Sequence, residues 1–114
     1  MENTRQQKIA RLIQKEMANI LREDAKGYTI DSMVTVTKVA VSRDFSSAKI
    51  YLSIFATLEK EEVIKNLNKH KREIRYALGQ RVKRQLRAVP EILFFEDDSL
   101  DYVDNINRLL NPKE

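Results

Sequence analysis

Between Lys69 and Arg87 the chain carries eight basic side chains against one acid, Glu73. Lysine and arginine at that density suit one chemistry, the neutralisation of polyanions, and arginine's planar fork pairs with phosphate oxygens two at a time. Acids already neutralising them would sit three or four residues away on a helix. Arg72, Arg75 and Lys83 have none at those offsets, and Glu73 reaches only Lys69. The amino-terminal stretch repeats the pattern. Lys8, Arg11, Lys15 and Arg22 project within about 60° of one another at about 100° per residue, and none has an acid three or four away. Two unneutralised basic faces point to nucleic acid rather than to a merely solvated surface.

Catalytic groupings are absent. His70 is the only histidine, and its neighbours Lys69, Lys71 and Arg72 supply like charge but no carboxylate to orient it as a base. An ordinary exposed side chain is the expectation there. The carboxylate cluster "EDDSLD" (Glu96, Asp97, Asp98, Asp101) could in principle hold magnesium but has no calcium-loop spacing. Helix capping accounts for it better. No phosphate loop, nucleophile elbow or zinc spacing occurs, and cysteine is absent altogether. The expectation is a protein that is not an enzyme and uses no cofactor or metal.

The elements that must position the basic residues follow from periodicity. Thr4 to Arg22 has Ile9, Leu12, Ile13, Met17, Ile20 and Leu21 on one helical face, capped by Asn3 or Thr4 with Gln7. "KGYTIDSM" around Gly27 ends it. Val34–Val41 and Ser47–Phe55 are strands, joined by "SRDFS" as an antiparallel hairpin. The first changes phase between Val36 and Val39, which predicts a bulge or two covered faces. A helical pattern runs from Leu58 to about Leu86 and cannot pass Pro90. Glu91–Asp97 is a third strand, and a helix capped by Asp98 or Ser99 closes the chain through Leu100, Val103, Ile106 and Leu110. The order is α-β-β-α-α-β plus a closing helix. It fits one α+β domain over residues 1–97, with 98–114 packed on it or extending from it.

Gly79, one of two glycines, interrupts the long helical pattern. With Ile74 as origin, Leu67, Val63 and Leu78 fall within about 40°, but Arg81 lands about 20° from the centre of that apolar face. A break near Ala77-Leu78-Gly79 would turn Arg81 outward, giving helices over roughly 58–77 and 80–88. Gly79 also lies in the stripe of Arg72, Arg75 and Lys83, where a missing side chain lets a phosphate approach the backbone. Tyr76 stands at the edge of that stripe, able to stack on an unpaired base or to pack at the kink.

Composition sets the remaining bounds. Mixed apolar and charged residues, 42% and 33%, make a globular chain. The longest apolar run, "ILFF", is far short of the roughly 20 residues of a membrane helix, and the amino terminus lacks a signal-peptide core. Absence of cysteine suits a reducing cytoplasm. Residues 88–114 carry seven acids against two bases, so charge is strongly segregated along the chain.

The element order resembles that of a type II KH domain, a reader of single-stranded nucleic acid. The GXXG loop of such domains is missing, and Ala77-Leu78-Gly79 stands at its junction. With that departure, "VTVTKVAVSRDFSSAKIYLS", "IRYALGQRVKRQLRAVPEILFFEDDS" and "RQQKIARLIQKEMANIL" together closely resemble the bacterial ribosome-binding factor A family, over nearly the whole chain. The resemblance implies a kinked type II KH-like domain, helices on one face of a three-stranded sheet, in a monomeric cytoplasmic factor. Such a factor binds the small ribosomal subunit and its rRNA in late maturation, assists processing at the 5′ end of that rRNA, supports growth in the cold and is released by a maturation GTPase. Candidate RNA contacts are Lys8, Arg11, Lys15, Arg72, Arg75, Tyr76, Gly79, Arg81, Lys83, Arg84 and Arg87. Two rivals stay open at this point: a general RNA-binding module, and an adaptor whose basic faces meet an acidic protein or the acidic carboxyl-terminal segment.

Overall fold

The computed structural model describes residues 3–29, 32–55 and 57–97. The expected closing helix, its Asp98 or Ser99 cap and the Asp98 and Asp101 carboxylates lie outside the described residues. Helix α1 spans Thr4–Arg22 and starts where Asn3 caps it. The Gln6 backbone N–H donates to Asn3 Oδ1 at 2.8 Å, and the Asn3 N–H donates to Gln6 Oε1 at 3.1 Å. Gln6, rather than Gln7, therefore closes the capping box. Its amide reaches further: Nε2 donates to the Val41 carbonyl at 2.9 Å. Gln14 does the same to the Val36 carbonyl at 3.2 Å. Helix α1 thus lies along strand β1 and occupies two carbonyls on a strand that, among the described residues, has a single sheet neighbour.

Strands β1 (Met33–Val41) and β2 (Ser47–Phe55) form the expected antiparallel hairpin, and β3 (Glu91–Glu96) pairs parallel to β2 in the order β1-β2-β3. The register shifts between Val36 and Lys38, leaving Thr37 as the extra residue of a bulge. That bulge is the phase change read from the sequence, and it returns Val39 and Val41 to the buried face. Thr37 Oγ1 donates to Asp97 Oδ2 at 2.6 Å, tying the bulge to the end of β3. In the hairpin turn, Asp44 Oδ1 accepts from Ser42 Oγ at 2.9 Å, Ser46 N–H at 3.1 Å and Ser46 Oγ at 2.7 Å. These donors, the Ser46 hydroxyl foremost, hold the Asp44 carboxyl below its ordinary pKa. Their stabilisation is therefore present at neutral pH and lost as the pH falls through the acidic range.

The three α-helices of the described residues cover one face of the sheet. Ile13, Met17 and Ile20 of α1 meet Val36, Ile50, Leu52, Ile54, Ile92 and Phe94, all buried. Helix α2 spans Lys60–Lys69 and α3 spans Lys71–Val82, contributing Val63, Leu67, Ile74, Leu78 and Val82 to the same core. Each such side chain, fully buried, contributes about 1.5–3 kcal/mol.

The break between the central helices falls at His70, not at Ala77-Leu78-Gly79, and α3 continues through Gly79 to Val82. Helices expected over 58–77 and 80–88 are therefore corrected to 60–69 and 71–82. Three side chains tied to other elements account for the position. Asn66 Nδ2 donates to the Tyr28 carbonyl at 2.9 Å, and Asn68 exchanges two bonds with the Phe94 backbone at 2.9 and 3.0 Å. The His70 ring stacks on Tyr28 with centroids 4.1 Å apart, half-buried instead of freely exposed. Residues 83–88 form turns that carry the chain back to β3.

Because Gln6 satisfies both a helix end and a strand carbonyl, Gln6→Ala is expected to lower stability by about 1–3 kcal/mol, the range for leaving a buried polar partner unmet. Urea unfolding followed by circular dichroism measures it. A loss indistinguishable from zero would mean that water replaces both bonds.

Candidate nucleic-acid interface

Helix α3 and its C-cap, Lys83, present Arg72, Tyr76, Gly79 and Lys83 at successive spacings of four, three and four, which places them on one stripe. With Arg75, Gln80 and Val89 they line a cleft of about 470 Å³. A second cleft of about 260 Å³ lies beside it, lined by Lys71, Arg72, Arg75, Glu91 and Ile92. Glu91 is the one acid among the lining residues of the two. Two of the wall residues, Gln80 and Val89, carry no charge or aromatic ring and so give no signal of their own in the sequence. Val89 enters because the chain doubles back ahead of Pro90, a signal that Pro90 itself carried.

Arg75 fixes that wall. Its Nε donates to the Pro90 carbonyl at 3.0 Å and an Nη to the Val89 carbonyl at 2.6 Å. Carbonyl oxygens do not neutralise a guanidinium, so Arg75 braces the cleft and leaves it electropositive. Gly79 is explained by the same wall. A Cβ built there would meet Val89 Cγ2 at 3.2 Å, and the residue has no positive φ. The glycine allows close approach of the returning chain and supplies no break in the helix.

Arg81 lies apart from the cleft. The uninterrupted helix points it toward α1, as the straight projection required, and carboxylates meet it there. Glu16 lies at 3.6 Å, Glu23 at 3.0 Å and Asp24 at 3.3 Å. Glu23 foremost raises the Arg81 pKa above its ordinary value. A side chain 27% exposed and ringed by three acids is a bridge between α1 and α3. Arg84 and Arg87 are exposed on the turns after α3. Lys8, Arg11 and Lys15 are exposed on the outer side of α1 and do not line the cleft. Among the described residues no group of three or more His, Asp or Glu side chains is placed to hold a metal ion. No helix among them is long and apolar enough to cross a membrane.

Fold and cleft together define a small basic α+β domain, with three helices on one face of a mixed three-stranded sheet and an electropositive groove beside its last helix. Residues 5–110 match the family model described as Ribosome-binding factor A. A relative of that description from Christiangramia forsetii is 43% identical over 115 residues, covering 99% of this chain and 87% of its own. The chain belongs to the ribosome-binding factor A family. The crystal structure of ribosome-binding factor A from Thermus thermophilus shares the fold, with TM-score 0.68 at 22% identity over 80% of this chain and 94% of that one. So does a Thermus thermophilus homology model fitted into the cryo-EM map of a 30S complex of that factor, with TM-score 0.61 at 22% identity over 76% of this chain and 89% of that one.

Gly79→Ala separates the two roles considered for the glycine. About 1 kcal/mol of helix propensity gained opposes a shift of Val89 by a few tenths of an ångström, so thermal unfolding should move by under about 1 kcal/mol in either direction. A loss well above that would mean the backbone at Gly79 needs a conformation alanine cannot take.

Proposed function

We infer that this chain is a non-catalytic factor that binds the small ribosomal subunit through phosphates of its rRNA. One observation carries the reading: in a chain of this family, Arg72, Arg75 and Lys83 converge on one cleft, and among the described residues no carboxylate is bonded to any of them. The 30S complex of the Thermus thermophilus relative supports the choice of subunit. Affinity comes from counterion release as lysine and arginine neutralise phosphates, so it falls with salt. Arg72 and Lys83 supply the phosphate contacts at the cleft, and Arg84, Arg87, Lys8, Arg11 and Lys15 extend them over neighbouring surface. Arg81 is spoken for by Glu16, Glu23 and Asp24 and contributes to stability instead.

The mechanism is stoichiometric. A factor that binds one rRNA conformation better than another shifts the equilibrium between them by its differential affinity, with no bond made or broken. In this reading it acts in the cytoplasm late in subunit maturation and favours the conformation from which the 5′ end of small-subunit rRNA is processed.

Co-sedimentation with small subunits, large subunits and joined ribosomes at two salt concentrations tests it. Pelleting with free small subunits alone, retained at moderate salt, is the expected result; equal, salt-labile pelleting with all three would identify a generic polyanion binder. In the same assay Arg72→Gln with Lys83→Gln should flatten the log-affinity against log-salt slope by roughly 1.4–1.8, two contacts' worth. Arg81→Gln should leave that slope unchanged while lowering the unfolding midpoint.

A further inference from the structure

Charge alone would be served by lysines on an open helix face, yet this cleft is built around an aromatic wall. Tyr76 is 70% exposed on α3 and has neither a ring partner nor a hydrogen bond among the described residues. A ring that large turned to solvent forgoes the burial that favours aromatics in cores. It is not packing at a kink, since the helix break lies at His70. One turn along, Gly79 leaves the floor bare, and Val89 forms the facing apolar side, held in place by Arg75 through two carbonyls. Gln80, an amide with both donor and acceptor, borders the same space. Arg72 and Lys83 stand at its two ends along the helix.

We propose that this cleft takes a single unpaired nucleobase, stacked on the Tyr76 ring above Gly79, with the flanking phosphates on Arg72 and Lys83. The proposal deepens the rRNA-binding reading of the same face and rests on it. A paired duplex presents phosphates and groove edges to a helix surface and has no free base face to offer. A base displaced from its stack does, and stacking on an aromatic side chain is indifferent to which base it is. Gln80, which lines the same cleft, carries an amide able to bond a base edge, giving the cleft a means of preference among bases. The ligand class is therefore RNA with a bulged, looped or terminal unstacked nucleotide. Binding would select the rRNA conformation in which that nucleotide is out of its stack.

Two RNA hairpins test this, identical except that one carries a bulged 2-aminopurine and the other is fully paired. Affinity and 2-aminopurine fluorescence are measured for the parent, Tyr76→Ala, Tyr76→Phe, Gly79→Leu, and Arg72→Gln with Lys83→Gln, each checked for folding by circular dichroism. Tyr76→Ala should lose about tenfold on the bulged hairpin, within the range for one aromatic stack, and nothing on the paired one. Tyr76→Phe should stay within about twofold of the parent, because the ring is kept. The fluorescence quench seen with the parent should vanish in Tyr76→Ala, and Gly79→Leu should follow it by filling the floor. Equal affinities of Tyr76→Ala and the parent for the bulged hairpin, or equal losses on both hairpins, would overturn the base site. If the Arg72 and Lys83 variant still loses affinity in that case, the phosphate face survives without the base site. Parent-like binding by every variant would overturn both.

Discussion

Parallel pairing of β3 with β2 is the constraint from which the rest of the structure follows. A hairpin can return antiparallel in a few residues, as β1 and β2 do across Ser42–Ser46. A parallel neighbour requires the chain to travel the length of the sheet and come back to the same end. Helices α2 and α3 make that journey over the buried face. Their inner sides must supply Val63, Leu67, Ile74, Leu78 and Val82 to the core, so their outer sides are free to be polar. The chain then has only residues 83–90 in which to reverse from α3 into β3. That reversal brings Val89 against Gly79 and Pro90 within reach of Arg75. The cleft is thus a by-product of the crossover: it exists because a strand has to begin beside the helix that precedes it.

Electrostatics divides the basic residues of α3 by where they point. Arg81 is directed toward α1, where burial without a partner would be expensive, and Glu16, Glu23 and Asp24 meet it. Arg72 and Lys83 are exposed and have no acid bonded to them among the described residues. Arg75 is intermediate, with its donors on carbonyls and its charge uncancelled. This one helix and its C-cap therefore carry Arg81 for cohesion, Arg75 for bracing, and Arg72 and Lys83 for a partner. Repulsion among the outward charges is tolerable because the Debye length near physiological salt is only about 8 Å, and it is relieved when a polyanion arrives.

The parts legible in the sequence were those set by local period. The face of α1, both strands of the hairpin, the bulge near Thr37 and the short β3 all follow from apolar spacing. The basic stripe on α3 was legible for the same reason, since side-chain direction on a helix is a matter of counting. What failed was inference from a single residue. Arg81 on the apolar face was real, but a break was only one way to resolve it; acids from another element were the other, and Glu23 and Asp24 lie 58 and 57 residues away in the chain. Likewise Gly79 signals a break when set against its own helix alone, while the atom that a side chain there would meet is Val89 Cγ2 in a different segment. The true break at His70 had a local signal, two asparagines and a histidine within five residues. Its strength depends on Tyr28 and Phe94, contacts that no window of sequence contains.

Rigid support makes the difference between a charged surface and a recognition surface. Flexible lysines on a mobile loop would bind any phosphate backbone, and ordering them on binding would offset part of the gain. Here Tyr76 and Gly79 sit on a helix anchored by three core residues, and the facing wall is bonded to that helix through Arg75. The backbone that carries the ring and the wall that faces it are consequently in place before any ligand arrives. Such a site distinguishes ligands by shape as well as by charge, and shape is the property in which one folded state of an RNA differs from another. The glycine that weakens α3 by about 1 kcal/mol relative to alanine is therefore best understood as the point of close packing between α3 and the returning chain, with Val89 Cγ2 3.2 Å from where a Cβ would stand.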